Sequence, residues 1–442
     1  MIVSKFGGSS LSSQTQFNKV KQIIHTDPQR CVVVVSALGK RQADDNKLTD
    51  MLYLIAAHIK HGVNYDHLWD VITDRFVAIK NELHLTYDIE SELDGIKKGL
   101  MSEKIDSDFL VSRGEYLTAK LMAEYLGFEF IDAKNIIVFH AQGSIDLDAC
   151  RSNVQSALTH LKTKSSFKGA VIPGFYGAYT SGKIKLLNRG GSDITAAVVA
   201  RCLEADKYEN WTDVNGVLMA DPRIVDHPVT VPQLSYEELS ELSYMGASVL
   251  HEETIYPIRD LQIPIHIMNT NAPDAAGTVV SDAAGETMPS IKGISGKKDY
   301  VSINIFKYSM STEVGFLHRV LEIFERYKIN IEHTPTGIDH VGIIVAQQEV
   351  EDHLEELIEH LQSVLGAEVT SNTLSLITVV GSGIVADAAV CATAFTALGF
   401  ESIKIQMISM SPRGVNMVMG VENEHFEKAI NALYQAFVNK SP

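Results

Sequence analysis

Residues 31–37 read Cys-Val-Val-Val-Val-Ser-Ala, an apolar run broken only at Ser36. A strand with water on one face alternates polar and apolar side chains, so consecutive valines fit a strand covered on both faces. Such a strand belongs to a mostly parallel sheet between layers of helices. Its C-terminal end, at Ser36, is where open sheets of this kind hold ligands. Residues 1–6 form another short strand, running into Lys5-Phe6-Gly7-Gly8-Ser9-Ser10. Phe17, Val20, Ile23 and Ile24 then mark one face of a helix, with Ser9 or Ser10 as its N-cap. Further strands are expected at 128–131, 136–140, 171–175 and 208–211. Strands alternating with helices over residues 1–285 predict a three-layer α/β/α domain.

Two glycine turns sit at strand-to-helix junctions. In the first, Lys5 precedes Gly7 and Gly8, so the P-loop order, with lysine after the glycines, is not met. Glycines still let an anion approach the backbone, and the lysine supplies a point charge. The second is Leu187-Asn188-Arg189-Gly190-Gly191-Ser192-Asp193-Ile194-Thr195, ahead of a helical pattern. Amides at a helix N-terminus favour an anion, and Arg189 adds a planar fork for carboxylate or phosphate. Glu115, in Ser112-Arg113-Gly114-Glu115, reads either as a first-turn helix acid or as part of a site. Residues 211–217 lead a strand into an Asn-Gly turn, and Asp221-Pro222-Arg223 marks another. His251-Glu252-Glu253-Thr254 lacks the second histidine of a zinc helix, so no metal site is assigned.

With 38 Lys+Arg against 55 Asp+Glu, the net charge of −17 speaks against nucleic-acid binding. No stretch approaches the roughly eighteen apolar residues of a membrane span, so no membrane association is expected. Residues 1–10 read as a strand and turn, not as a leader. Cys31, Cys150, Cys202 and Cys391 are widely spaced, as in free thiols of a cytoplasmic protein. Residues 39–48 are a polar loop, and 272–289, rich in Ala, Gly, Pro and Asp, read as a linker. Beyond it comes a repeat of βαββα(β) units. The first copy has strands at 301–306, 329–332 and 341–346. The second has strands at 374–380, 402–407 and 415–420 and no closing strand, so the copies are expected to interlock and share strands. Gly381-Ser382-Gly383-Ile384-Val385-Ala386 imitates a dinucleotide fingerprint, but too little chain follows to complete that fold.

Taken in order, the motifs around Lys5, Glu115, Arg189–Asp193 and Thr212-Asp213…Asp221-Pro222-Arg223 resemble the aspartate kinases of the amino acid kinase family. The C-terminal repeat resembles that family's tandem ACT module. The resemblance implies a catalytic domain at 1–292 and two interlocked α+β ACT domains at 293–442. The first copy would span about 307–370, the second 293–306 plus 371–442. It further implies γ-phosphoryl transfer from ATP to the β-carboxylate of L-aspartate, with Lys5 and Asp193 catalytic. Lys5, Gly7, Gly8 and Ser9 would hold phosphates, and Thr212, Asp213 and Arg223 the adenosine side. Ser36, Thr49, Glu115, Phe175, Arg189 and Ser192 would form the aspartate pocket, Arg189 clamping the α-carboxylate and Glu115 pairing with the ammonium. Mg²⁺ would be carried by ATP oxygens and water, with no protein ligand. Residues 310–317 resemble the effector loop of lysine-sensitive members. Met310, Gly315, Phe316, Leu317 and Glu332 would then bind an effector, the acid favouring L-lysine over threonine. ACT pairing implies a homodimer or dimer of dimers. Two alternatives stay open: another carboxylate kinase of the same fold, and a non-catalytic amino-acid sensor.

Overall fold

The valine run forms the strand Val32–Val35, each residue no more than 1% exposed. Parallel neighbours cover its edges, Ile2–Phe6 on one side and Ala170–Pro173 on the other. This computed structural model describes residues 1–42, 44–101, 106–188, 190–246, 250, 252–282, 291–384 and 386–438. Arg189, His251, Val385 and residues 283–289 of the expected linker lie outside them. Two compact units emerge: Met1–Val217 with Pro232–Tyr236 and Ser248–Ala284, and Leu218–Val231 with Glu237–Ala247 and Gly285–Pro442.

Among the described residues the first unit's main sheet has eight strands. Their order is Glu129–Phe130, Ala170–Pro173, Val32–Val35, Ile2–Phe6, Lys207–Thr212, Ile265–Asn269, Thr278–Val280 and Gln233–Leu234. All neighbours run parallel except Ile265–Asn269 with Thr278–Val280. The first helix differs from expectation. A 3₁₀ turn, Gly8–Leu11, comes between strand and helix, and Gln14–Thr26 is capped by Ser13, whose Oγ accepts from the Gln16 amide at 3.4 Å. Ser9 and Ser10 therefore stay in the turn at the strand end, and the cap falls to the serine that enters the helix in extended conformation.

The second unit carries a five-stranded antiparallel sheet in the order His340–Ala346, Gly293–Phe306, Glu368–Val380, Asn416–Val421, Met407–Met410. Its two central strands are 14 and 13 residues long and pair along their length, with a register shift between Lys297 and Tyr300. On one side of the shift Gly293–Lys297 pairs with residues 376–380, and beyond it Tyr300–Phe306 pairs with residues 368–374. The copies share strands and interlock. The strand expected at 329–332 is absent. That segment follows His340–Ala346 through isolated bridges at His333 and Thr336, and Pro335 between them has no amide to extend a ladder. No helix among the described residues is long and apolar enough to cross a membrane.

Candidate active site

Lys5 lies one residue from the end of Ile2–Phe6 and is 7% exposed. Its Nζ sits 2.6 Å from Asp193 Oδ1. Asp193 is in the first turn of the helix Gly191–Cys202, where the helix field favours an anion. Gly190 caps that helix in the left-handed region, with φ at 77°, a conformation that glycine adopts without strain. The glycine turn beyond Lys5 is packed just as closely. The Gly7 amide donates to the Trp211 carbonyl at 3.1 Å, and the Ser36 amide to the Phe6 carbonyl at 3.1 Å. A Cβ on Gly39 would come within 2.1 Å of the Gly8 carbonyl oxygen, so the 39 backbone lies directly against the turn.

A cavity of about 1050 Å³ opens at these strand ends. It brings together Lys5, Gly8, Ser9, Ser36, Thr49, Glu115, Phe175, Ser192, Asp193 and Asp213 from distant parts of the chain. Arg189 is outside the described residues, while Asn188 and Gly190 on either side of it line the wall. Gly7 and Thr212 adjoin lining residues without lining the cavity themselves. Arg223 does not line it. It belongs to the segment Leu218–Val231 of the second unit, where its Nε donates to Asp221 at 3.0 Å. Phe175 has a positive φ of 76°, unusual for a bulky residue, and its amide donates to Thr195 Oγ1 at 3.0 Å. Gly191 packs against it so closely that a Cβ would meet the ring at 2.6 Å.

Glu115 is 4% exposed on this wall, well inside the helix Ser107–Leu126 rather than in its first turn. Burial pushes its carboxyl up to about 8, and the Ala37 amide and Arg113 only partly offset that. Its Oε2 has no hydrogen-bond partner among the described residues. A buried acid lacking a partner for one oxygen ionises more readily beside a cation. Lys5 and Glu115 thus place one basic and one acidic side chain on the same cavity.

Three contributors were not evident from the sequence. Gly39 is recognised only by its contact with Gly8. Arg75, 3% exposed, donates to the carbonyls of Gly39 and, at 3.0 Å, of Asn46, so these two points of the polar loop are tied to it, and Gly39, Lys40, Gln42 and Lys47 line the cavity. Asn210 donates to Asp193 Oδ1 at 2.9 Å. Its one visible signal was a polar residue inside a central strand.

In the second unit, Met310 is buried in the short turn Met310–Thr312, and Gly315, with φ at 80°, caps the helix Phe316–Arg326. Phe316 is buried and Leu317 half-exposed. Glu332 accepts from the Tyr244 hydroxyl. A cavity of about 320 Å³ is lined by Ile331, Glu332, His333, Thr334, Pro335, Ile408 and Ser409. Met310 and residues 315–317 are not part of its lining.

The amino acid kinase family model matches residues 1–269, and an ACT domain model matches 377–437. Aspartokinase 3 of Bacillus subtilis (strain 168) is 35% identical over 450 residues, covering 99% of this chain and 98% of that protein. The crystal structure of Clostridium acetobutylicum aspartate kinase superposes with a TM-score of 0.90 at 41% identity, covering 99% of this chain and 100% of that one. E. coli aspartokinase III, solved in complex with aspartate and ADP, shares the fold at a TM-score of 0.80 and 24% identity, with 99% of each chain covered. With its phosphate-type turn, its buried acid and a relative alike from end to end, this chain belongs to the amino acid kinase family and, within it, is an aspartate kinase of the aspartokinases.

Proposed function

We propose that the chain, acting in the cytoplasm, transfers the ATP γ-phosphoryl group to the β-carboxylate of L-aspartate, giving 4-phospho-L-aspartate. Catalysis is assigned to residues 1–292 and feedback control to 293–442. The observation that supports this is that the Lys5–Asp193 pair and Glu115, whose Oε2 has no hydrogen-bond partner among the described residues, line one cavity. An amino acid with two carboxylates needs both signs of charge at once. Its β-carboxylate, with a reference pKa of about 3.9, is already ionised, so no general base is required. What the protein must do is align two anions and neutralise charge as the group moves.

Lys5 spends one N–H on Asp193 and has others for phosphate oxygens. Gly7, Gly8 and Ser9 hold the phosphates, and Thr212 and Asp213 serve the adenosine side. Ser36, Thr49, Phe175 and Ser192 shape the aspartate pocket, with Arg189 on the α-carboxylate. Arg223 is kept as an adenosine-side candidate, which would require it to leave Asp221. Mg²⁺, bound to ATP oxygens and water, supplies charge neutralisation, and no protein ligand is assigned. Asp193 Oδ1, the nearest carboxylate oxygen to Lys5, is already engaged by two donors.

The effector proposed is L-lysine. An acid at Glu332 suits a cationic side chain, and amides at the start of Phe316–Arg326 suit its α-carboxylate. A homodimer or dimer of dimers is proposed for the assembly. The edge strand Met407–Met410, with Ile408 47% exposed, pairs on one side only among the described residues.

A hydroxamate assay with MgATP tests the catalytic assignment. Aspartate is expected to be phosphorylated and N-acetylglutamate not, and Lys5→Ala and Asp193→Ala are expected to lose turnover by about 100-fold or more. Turnover on N-acetylglutamate alone, or on neither, refutes it.

A further inference from the structure

The sheet register builds a polar pair inside an apolar row. Lys5 is paired with Asn210 on the adjacent parallel strand, and the row continues as Val34 and Ile172 on one side and Ile267 on the other. Residues paired across a parallel sheet present their side chains to the same face. That face meets the helix Gly191–Cys202, where Asp193 stands over both. Asp193 Oδ1 accepts from Lys5 Nζ at 2.6 Å and from Asn210 Nδ2 at 2.9 Å. Asn210 is 2% exposed. A buried amide among aliphatic neighbours is costly to desolvate unless its hydrogen bond does something an apolar side chain cannot.

We propose that Asn210 is a positioning residue for phosphoryl transfer, fixing the Asp193 carboxylate so that Lys5 points its free N–H groups at the transferring phosphate. The proposal rests on Lys5 being the phosphate-holding group. With two donors on one oxygen, the carboxylate cannot swing to meet the ammonium through both of its oxygens. Lys5 is thus held by a single contact and keeps its other protons for substrate. The amide is neutral, so it sets geometry without cancelling the lysine's charge. A second lysine or arginine in its place would compete for the carboxylate, and a second carboxylate would draw Lys5 away from the phosphate.

The test is steady-state kinetics on the full chain with aspartate and MgATP. Asn210→Leu keeps the branching and heavy-atom count of the side chain and suits the apolar row. It is expected to lower kcat by about 10- to 100-fold, the cost of a misplaced group, with KM for aspartate within about twofold and an unchanged melting midpoint. In an Asp193→Asn background, assayed at high enzyme concentration, the same change is expected to cost less than about twofold, because partners in one network are not additive. Wild-type kcat in Asn210→Leu, or losses that multiply in the double variant, overturn the proposal. If Asn210→Leu does not fold, Asn210→Asp decides. Two adjoining carboxylates share a proton, so kcat is expected to gain a limb that falls as pH rises through their raised titration. A pH profile unchanged from wild type overturns the proposal. Full turnover in Lys5→Ala instead refutes the phosphate role of Lys5, whereas loss in Lys5→Ala with full turnover in Asn210→Leu refutes only the role of Asn210.

Discussion

Glu115 is the residue whose environment carries the clearest functional consequence. Burial pushes its carboxyl up to about 8, so in the ligand-free protein at neutral pH it holds its proton. An ammonium pairs with the ionised form. Binding aspartate below pH 8 therefore requires a proton to leave, and apparent affinity should rise with pH until the carboxyl is ionised without help. Titration calorimetry between pH 6 and 8 is expected to show aspartate affinity increasing up to tenfold per pH unit and levelling above about 8, the slope of one released proton. In Glu115→Gln that slope should vanish and binding be weak throughout. A flat profile in the wild type would show that Glu115 does not meet the ammonium. The same shift affects stability. A folded-state carboxyl raised from 4.5 towards 8 favours the folded form most at low pH, and that contribution is lost as pH climbs through the window. Glu115→Gln should flatten the pH dependence of the melting midpoint over the same range.

At the scale of elements, the site is a set of strand ends drawn together by close backbone packing, with no room for a Cβ at Gly39 or Gly191. Gly39 and Gly8 show the limit, with 2.1 Å between an added Cβ and a carbonyl oxygen. Gly39→Ala must push the Gly8–Leu11 turn away from Lys5, and overpacking of this kind costs about 1–3 kcal/mol. We expect KM for ATP to rise about tenfold, in proportion to the displaced turn, with a lower melting midpoint. Gly95→Ala, in the helix Ile89–Met101 with open space around it, is the control. It should leave kinetics unchanged and stabilise by about 0.5–1 kcal/mol. Equal kinetic effects in the two variants would remove the phosphate role of the turn.

At the scale of the whole molecule, the regulatory unit is one sheet. Leu376, fully buried in a cluster with Met245, Tyr300, Ile344 and Val418, sits where the two ACT copies share strands. Leu376→Ala should cost about 2–5 kcal/mol. Hydrogen exchange is expected to quicken together in His340–Ala346 and Asn416–Val421, strands that belong to different copies. Loss confined to one copy would mean that each folds separately. The proposed control by lysine belongs to this scale too. Glu332→Ala should keep basal turnover and raise the lysine concentration for half-inhibition at least tenfold, about 1.4 kcal/mol of lost charge pairing. Unaltered inhibition would move the effector's cationic end elsewhere.

Much of this was determined by the sequence itself. Four valines in a row specify a strand covered on both faces, and glycines after a strand specify a tight turn at its end. The apolar stripes of the C-terminal repeat specify two copies of one unit. These are local signals, set by side-chain period and backbone freedom. Only the tertiary structure decided the rest, because it depends on residues far apart in the chain. Parallel register put Asn210 beside Lys5, 205 positions away, on one face below Asp193. Burial turned Glu115 from an ordinary helix acid into a protonated one with an idle oxygen. Packing placed most of the helix Tyr236–Tyr244 in the second unit although the chain enters and leaves that segment from the first. A sequence encodes which groups are available; which charges meet, and in what dielectric, is fixed only when distant segments are brought into contact.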